Sequence, residues 1–97
     1  MSAEIMEHLA VRPEGIYCDT TAGLGGHTAE IARRLTAGIV IANDRDAQSL
    51  EMARRNTAEW ADRIRYNRGA FSELRETIAS LGFTKIDGLV ADLGVSR

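Results

Sequence analysis

Three glycines, Gly23, Gly25 and Gly26, stand within four positions of the stretch "CDTTAGLGGHTAEIARRL", residues 18–35. An ordinary turn into a helix needs one such residue. Three leave a strip of bare backbone that a ligand can approach closely. The loop amides and the N-terminus of a following helix then face that ligand. Two phosphate-binding patterns are missing. A P-loop needs Gly-Lys-Ser/Thr ahead of its helix, whereas Gly26, His27 and Thr28 stand here without a lysine. The dinucleotide fingerprint G-x-G-x-x-G fails at its third glycine, where Thr28 stands. One part of that fingerprint survives. Asp44 is an acidic residue about 20 positions on, placed to accept hydrogen bonds from both hydroxyls of a ribose.

Asp19, just ahead of the glycines, repels a phosphate but suits an ammonium group or a loop amide. An acidic clamp without a pyrophosphate seat matches S-adenosylmethionine, which carries a ribose, an amine and a sulfonium but no phosphate. NAD is the disfavoured alternative. His27 is a candidate cofactor contact, its rival role being a solvent-facing residue at a helix start. Cys18 reads as a buried small hydrophobe rather than a nucleophile.

These residues need elements to position them. Ile5, Met6 and Leu9 suggest a leading helix, stopped by Pro13-Glu14-Gly15. "GIYCD" (15–19) predicts a strand entering the glycines. Thr28, Ile31, Ala32 and Leu35 then recur at i, i+3, i+4 and i+7, one face of a helix ended by Gly38. "IVIAND" (39–44) is a buried strand, and Ala47, Leu50, Ala53, Thr57 and Trp60 resume helical spacing behind Asp46, the better N-cap. "RIRYNRG" (63–69) predicts a third strand. Ser72 caps a helix striped by Leu74, Ile78 and Leu81 and closed by Gly82, and "IDGLVADLG" (86–94) is a fourth strand. Alternating strands and helices imply right-handed crossovers and a parallel sheet. Ligands of such sheets bind beyond the carboxyl ends of the strands, and Asp19, Asp44 and Asp92 all fall there.

Composition narrows the field further. The 97 residues make one small domain, and a formal net charge of −2 gives no basic footprint for nucleic acid. The arginines at 33, 34, 54, 55, 63, 65 and 68 are interspersed with acids and read as solvated faces rather than an RNA-facing patch. The single cysteine excludes an internal disulfide, and no metal-spaced Cys/His cluster exists. No apolar run reaches membrane-spanning length. The expectation is a soluble, cytoplasmic chain with no membrane contact and no metal.

The segments "DTTAGLGGHTAEI", "ANDRDAQSL", "RGAFSEL" and "KIDGLVADLGVSR", in this order and spacing, resemble the bacterial 16S ribosomal RNA cytosine-N4 methyltransferase family of the MraW type. The resemblance covers essentially the whole chain, departing at Arg97, where the family usually has a second serine. It implies a class I, S-adenosylmethionine-dependent methyltransferase whose substrate is 16S rRNA in the small ribosomal subunit. It places Gly25, Gly26 and His27 at the cofactor, Asp44 on its ribose and Phe71 near its adenine, with Gly23 of the bare loop a further candidate cofactor contact. Asp92 lies at the reactive end, and Asp19 either orders the loop or touches the ligand. The fold class implied is α/β, a Rossmann-like half-domain with four parallel strands in the order 3-2-1-4. Members of the family are about three times this length, so residues 1–97 read as the N-terminal half of the methyltransferase domain, without the rRNA-holding insert and the C-terminal half. Such a piece is expected to be inactive alone. Its fourth strand is then a bare sheet edge, which predicts a homodimer through 86–92. The rival readings are a non-catalytic, self-associating half-domain and a nicotinamide-dinucleotide-binding domain.

Overall fold

The computed structural model describes residues 10–20, 27–91 and 94–96. Strands β1 (Ile16–Asp19), β2 (Ile39–Asp44), β3 (Ile64–Arg68) and β4 (Gly88–Ala91) pair in parallel in the order β3-β2-β1-β4. Between them run helices α1 (His27–Arg34), α2 (Ala47–Asn56) and α3 (Leu74–Ser80). A short strand β5 (Gly94–Ser96) turns back antiparallel onto β4, with Leu89 opposite Ser96 and Val90 opposite Val95. The parallel strands and their order are those expected from the sequence.

The sheet is covered on both faces, which is why β2 is apolar at successive positions rather than at alternate ones. Val40 and Ala42 point to one face, where they pack with Tyr17, Ile31, Leu35, Ala53, Ile64 and Val90 under α1 and α2. Ile39 and Ile41 point to the other face, toward Cys18 and Leu74, with Ile78, Phe83 and Leu89 partly buried around them. In α1, Thr28, Ile31 and Ala32 are buried, as their spacing requires. Arg63 donates from Nη1 to the Ala32 carbonyl at 3.1 Å, satisfying an acceptor in the last turn of that helix.

Helix α2 begins where Asp46 caps it. The Asp46 carboxylate accepts from the Gln48 N–H at 2.9 Å and from the Ser49 hydroxyl at 3.1 Å, and these donors, the Gln48 amide foremost, hold its carboxyl below the usual range. The helix is shorter than the sequence spacing implies. At Thr57 the side chain turns inward, donating to the Ala53 carbonyl at 2.6 Å and sharing a 2.6 Å hydrogen bond with the Tyr66 hydroxyl. The chain continues as a 3₁₀ turn over Ala58–Arg63, from which Trp60 packs on the core. Ala47 is exposed, so Leu50, Ala53 and Thr57 carry the buried face.

Helix α3 also starts later than expected. A 3₁₀ turn over Phe71–Glu73 precedes it, which moves the N-cap position from Ser72 to Glu73. Its other end follows the expected pattern. Gly82 adopts φ 94°, its N–H donates to the Ala79 carbonyl at 3.0 Å, and the Phe83 N–H donates to the Ile78 carbonyl at 3.1 Å. This pair of bonds is a Schellman motif, with the glycine at the position that needs a left-handed backbone. Leu81 lies at the cap itself and is 36% exposed, so it does not belong to the buried stripe.

The expectation of a bare edge along 86–92 is corrected here. Val95 and Ser96 of β5 pair with Val90 and Leu89, so the outer side of β4 is already occupied. The homodimer expected through that edge loses its premise. The leading helix expected at residues 5–9 lies outside the described residues.

The start of β1 is pinned to the segment before β4 by one carboxylate. Asp87 accepts from the Ile16 N–H at 2.8 Å through one oxygen and from the Arg12 guanidinium through the other. The Ile16 amide above all, then Arg12, holds the Asp87 carboxyl below the ordinary range, partly opposed by burial. A carboxyl depressed in the folded state contributes stability that is complete above its unfolded pKa of about 3.9, and that is lost as pH falls through the folded value. The expected result is that Asp87→Asn lowers the urea midpoint at pH 7 but much less at pH 3. An equal loss at both pH values would exclude the ionised Asp87 as the cause.

Candidate functional site: the carboxyl rim of the sheet

Because β1 to β4 are parallel, their carboxyl ends lie along one rim. Registers set the heights there, with Asp19 level with Ala42 and Val90, and Asp44 level with Arg68. Thr20 closes the end of β1 against β4, its N–H and its hydroxyl both donating to the Val90 carbonyl at 2.9 Å.

Asp19 is completely buried and accepts the Thr28 hydroxyl at 2.7 Å. Thr28 is itself completely buried in the first turn of α1. The bond ties the end of β1 directly to the first turn of α1. Asp44 is half-buried at the end of β2 and accepts the Asp46 N–H at 2.9 Å through Oδ1. The two acids of "DRD" therefore divide their work. Asp46 caps α2, while Asp44 is oriented at the rim by the turn between them.

His27 opens α1 and is half-buried. Its Nδ1 is buried and lacks a hydrogen-bond partner among the described residues. The turn after β3 completes this side of the rim. The Gly69 N–H donates to the Asp44 carbonyl at 3.0 Å, and the Ala70 N–H donates to Glu73 Oε1 at 3.1 Å. Phe71 begins the 3₁₀ turn that follows. Of the residues proposed from sequence, the structure brings Asp19, His27, Asp44 and the Phe71 backbone to one end of the sheet. Gly23, Gly25, Gly26 and Asp92 lie outside the described residues.

Sequence reasoning passed over Thr28 as a polar partner and over Asn43 and Asn67 altogether. A faint signal was present, since Asn43 interrupts a β-branched run in a strand buried on both faces.

Other side chains take structural roles. Cys18 is completely buried, and burial first, then the neighbouring Asp19, pushes its thiol up to about 12. A thiol so disposed is not a nucleophile at neutral pH. Arg33 and Arg34 pair with Glu30 at 2.7 and 3.0 Å, Arg54 lies 4.6 Å from the Tyr66 ring centre, and Arg68 donates to the Arg45 carbonyl at 3.2 Å. Such local pairing fits solvated faces better than a common patch for RNA. Among the described residues no group of three or more His, Cys, Asp or Glu could hold a metal ion, and no helix is long and apolar enough to cross a membrane.

A parallel sheet in the order β3-β2-β1-β4 with helices between its strands is a Rossmann-like α/β architecture. The chain belongs to the MraW methylase family, whose sequence profile matches residues 1–97. It is similar to ribosomal RNA small subunit methyltransferase H of Solibacter usitatus (strain Ellin6076), with 63% identity over 97 residues, all of this chain and 34% of that protein. Ribosomal RNA small subunit methyltransferase H 2 of Agathobacter rectalis is 44% identical over 94 residues, 96% of this chain and 30% of that protein. The counterpart in Mycoplasmopsis synoviae (strain 53) is 38% identical over 93 residues, 96% of this chain and 31% of that protein. The chain thus spans about a third of the length of the curated relatives it matches.

Proposed function

We propose that residues 1–97 form the cofactor-binding, N-terminal half of the methyltransferase domain of an S-adenosylmethionine-dependent enzyme that methylates N4 of a cytidine in 16S rRNA. The observation that carries the cofactor reading is the rim itself. Asp44 is oriented at the end of β2 beside the turn after β3, and a buried, unpartnered Nδ1 of His27 stands at the start of α1 among the described residues. These groups fit a nucleoside with an amine-bearing arm and no phosphate. Asp44 would accept from the ribose hydroxyls, His27 and the backbone at Gly23, Gly25 and Gly26 would face the arm, and the turn from Gly69 to Phe71 would border the adenine. Asp19, bonded to Thr28, would hold the start of α1 to the end of β1 on either side of the glycines.

When bound, the cofactor supplies an electrophilic methyl group on a sulfonium. The protein's task is positional. It holds the exocyclic amine in line with that methyl group and excludes water. The amine is a weak nucleophile because its lone pair is delocalised into the ring. Asp92, which the family resemblance puts at the reactive end, would accept from its N–H and favour attack. Action on rRNA implies work in the cytoplasm of a bacterium, with the small ribosomal subunit as partner.

Replacing Asp44 with alanine removes charge-assisted hydrogen bonds worth roughly 1.5–3 kcal/mol. Calorimetric titration with S-adenosylhomocysteine should show binding weakened by about tenfold to 100-fold, by the same arithmetic. A change below twofold would reduce Asp44 to a turn-former, and tighter binding of NAD than of S-adenosylhomocysteine would favour the dinucleotide reading instead.

The chain by itself should transfer no labelled methyl to small ribosomal subunits, because the rest of the length found in its relatives would carry the rRNA-holding parts. Incorporation above background by purified residues 1–97 would show that this third of the length suffices.

A further inference from the structure

We infer that Asn43 is a positioning residue that sets the distance between Asp44 and the turn after β3, and so the width of the slot for the nucleoside. The inference rests on the cofactor reading above.

Asn43 is 2% exposed, an amide buried at the end of an otherwise apolar strand. Its Nδ2 donates to the Gly69 carbonyl at 3.2 Å, and its Oδ1 accepts from Asn67 Nδ2 at 2.8 Å. Chemistry fixes both orientations. A carbonyl can only accept, so Asn43 must present its NH₂ to Gly69, which leaves its oxygen for Asn67. Register places Asn43 directly across from Asn67 on β3, one step before Asp44 and Arg68. Gly69 is therefore gripped on both peptide groups: its N–H by the Asp44 carbonyl at 3.0 Å, its carbonyl by the Asn43 amide. A Cβ on Gly69 would sit 3.2 Å from Asn67 Nδ2 and 3.7 Å from Asn43 Oδ1, so the polar atoms converge on this one backbone unit.

An amide buried in a strand costs stability unless it is bonded, and an apolar residue would fill the site without that demand. What the amide provides is a fixed turn. With Gly69 held to β2, the turn is already in place before a ligand arrives, and binding need not order it. Without the Asn43 donor the Gly69 carbonyl is left unpaired, and the turn can drift from Asp44.

The test uses the unsubstituted chain, Asn43→Leu and Asn43→Asp. Leucine keeps the number and branching of the side-chain heavy atoms, though it is bulkier, and aspartate keeps the shape but cannot donate to Gly69. Titrations with S-adenosylhomocysteine and with adenosine alone, thermal unfolding, and amide hydrogen exchange at Gly69 and Ala70 are measured on each. Both variants should lose about fivefold to tenfold in affinity for both ligands, by roughly equal factors, as expected for one lost hydrogen bond. Exchange at Gly69 should accelerate while the rest of the sheet stays protected. Binding within twofold of the unsubstituted chain, with the fold intact, would overturn the positioning role and leave the cofactor reading standing. No binding of S-adenosylhomocysteine by the unsubstituted chain would overturn both. Should the position 43 variants fail to fold, Asn67→Ala serves in their place. It removes only the partner that orients Asn43 and should weaken adenosine about twofold to threefold, an unchanged affinity counting against the inference.

Discussion

Alanine at position 38 is expected to unfold the chain or to cost it at least ~3 kcal/mol, the upper end of what overpacking usually does. Gly38 lies between α1 and β2, buried, where its backbone meets the turn ahead of β1. Its N–H donates to the Pro13 carbonyl at 3.0 Å, and the next residue, Ile39, donates to the Gly15 carbonyl at 3.1 Å. A Cβ there would collide with the Gly15 carbonyl oxygen, and would sit 2.9 Å from the Gly15 nitrogen and 2.8 Å from a Leu35 methyl. Leu35 could shift. The Gly15 backbone cannot, because it is bonded into the start of the sheet. Relief would separate the 13–15 turn from β2 and break the bonds that open the β1–β2 ladder. Urea denaturation of Gly38→Ala, monitored by circular dichroism, checks this. Gly82→Ala is the control, since nothing lies within 4 Å of a Cβ there and only the left-handed backbone is strained, at about 1–2 kcal/mol. If the Gly38 variant is no less stable than the Gly82 variant, the close backbone approach does not constrain the fold.

Thr28→Val is the second large effect. Valine preserves the branched shape inside α1, so packing changes little. It deletes the hydroxyl that donates to Asp19 at 2.7 Å, and both residues are completely buried. Hydrogen bonds to charged groups contribute about 1.5–3 kcal/mol, and a loss of roughly that size is expected in urea. The same change frees the end of α1 from the end of β1, on either side of the glycine loop. Affinity for S-adenosylhomocysteine should therefore fall even at temperatures where the variant is fully folded. Thr28→Ser, which restores the donor, should recover most of the stability. If valine and serine behave alike, the methyl group matters at this site and the hydroxyl does not.

Much of this molecule was legible along the chain. The β-branched run 39–44 became β2 with the same bounds, because a strand buried on both faces leaves a continuous apolar signature. The alternation of strands and helices implied a parallel sheet, and Asp46 showed as a cap that left Asp44 for the rim. Gly82 marked the end of α3, since a left-handed cap selects glycine locally. Each of these is decided within a few residues, by periodicity, backbone conformation or a side chain reaching its own turn. Tertiary structure decided the rest. Thr57 ends α2 because Tyr66 on β3 stands ready to bond it. Asp19 is buried because α1 folds back and brings Thr28 over it. β4 has a covered edge because β5 turns onto it, and Asn43 is paired because the register puts Asn67 opposite. A polar residue in an apolar strand shows in the sequence only as a cost. The partner that offsets it stands on another strand, and only the register of the folded sheet says which residue that is.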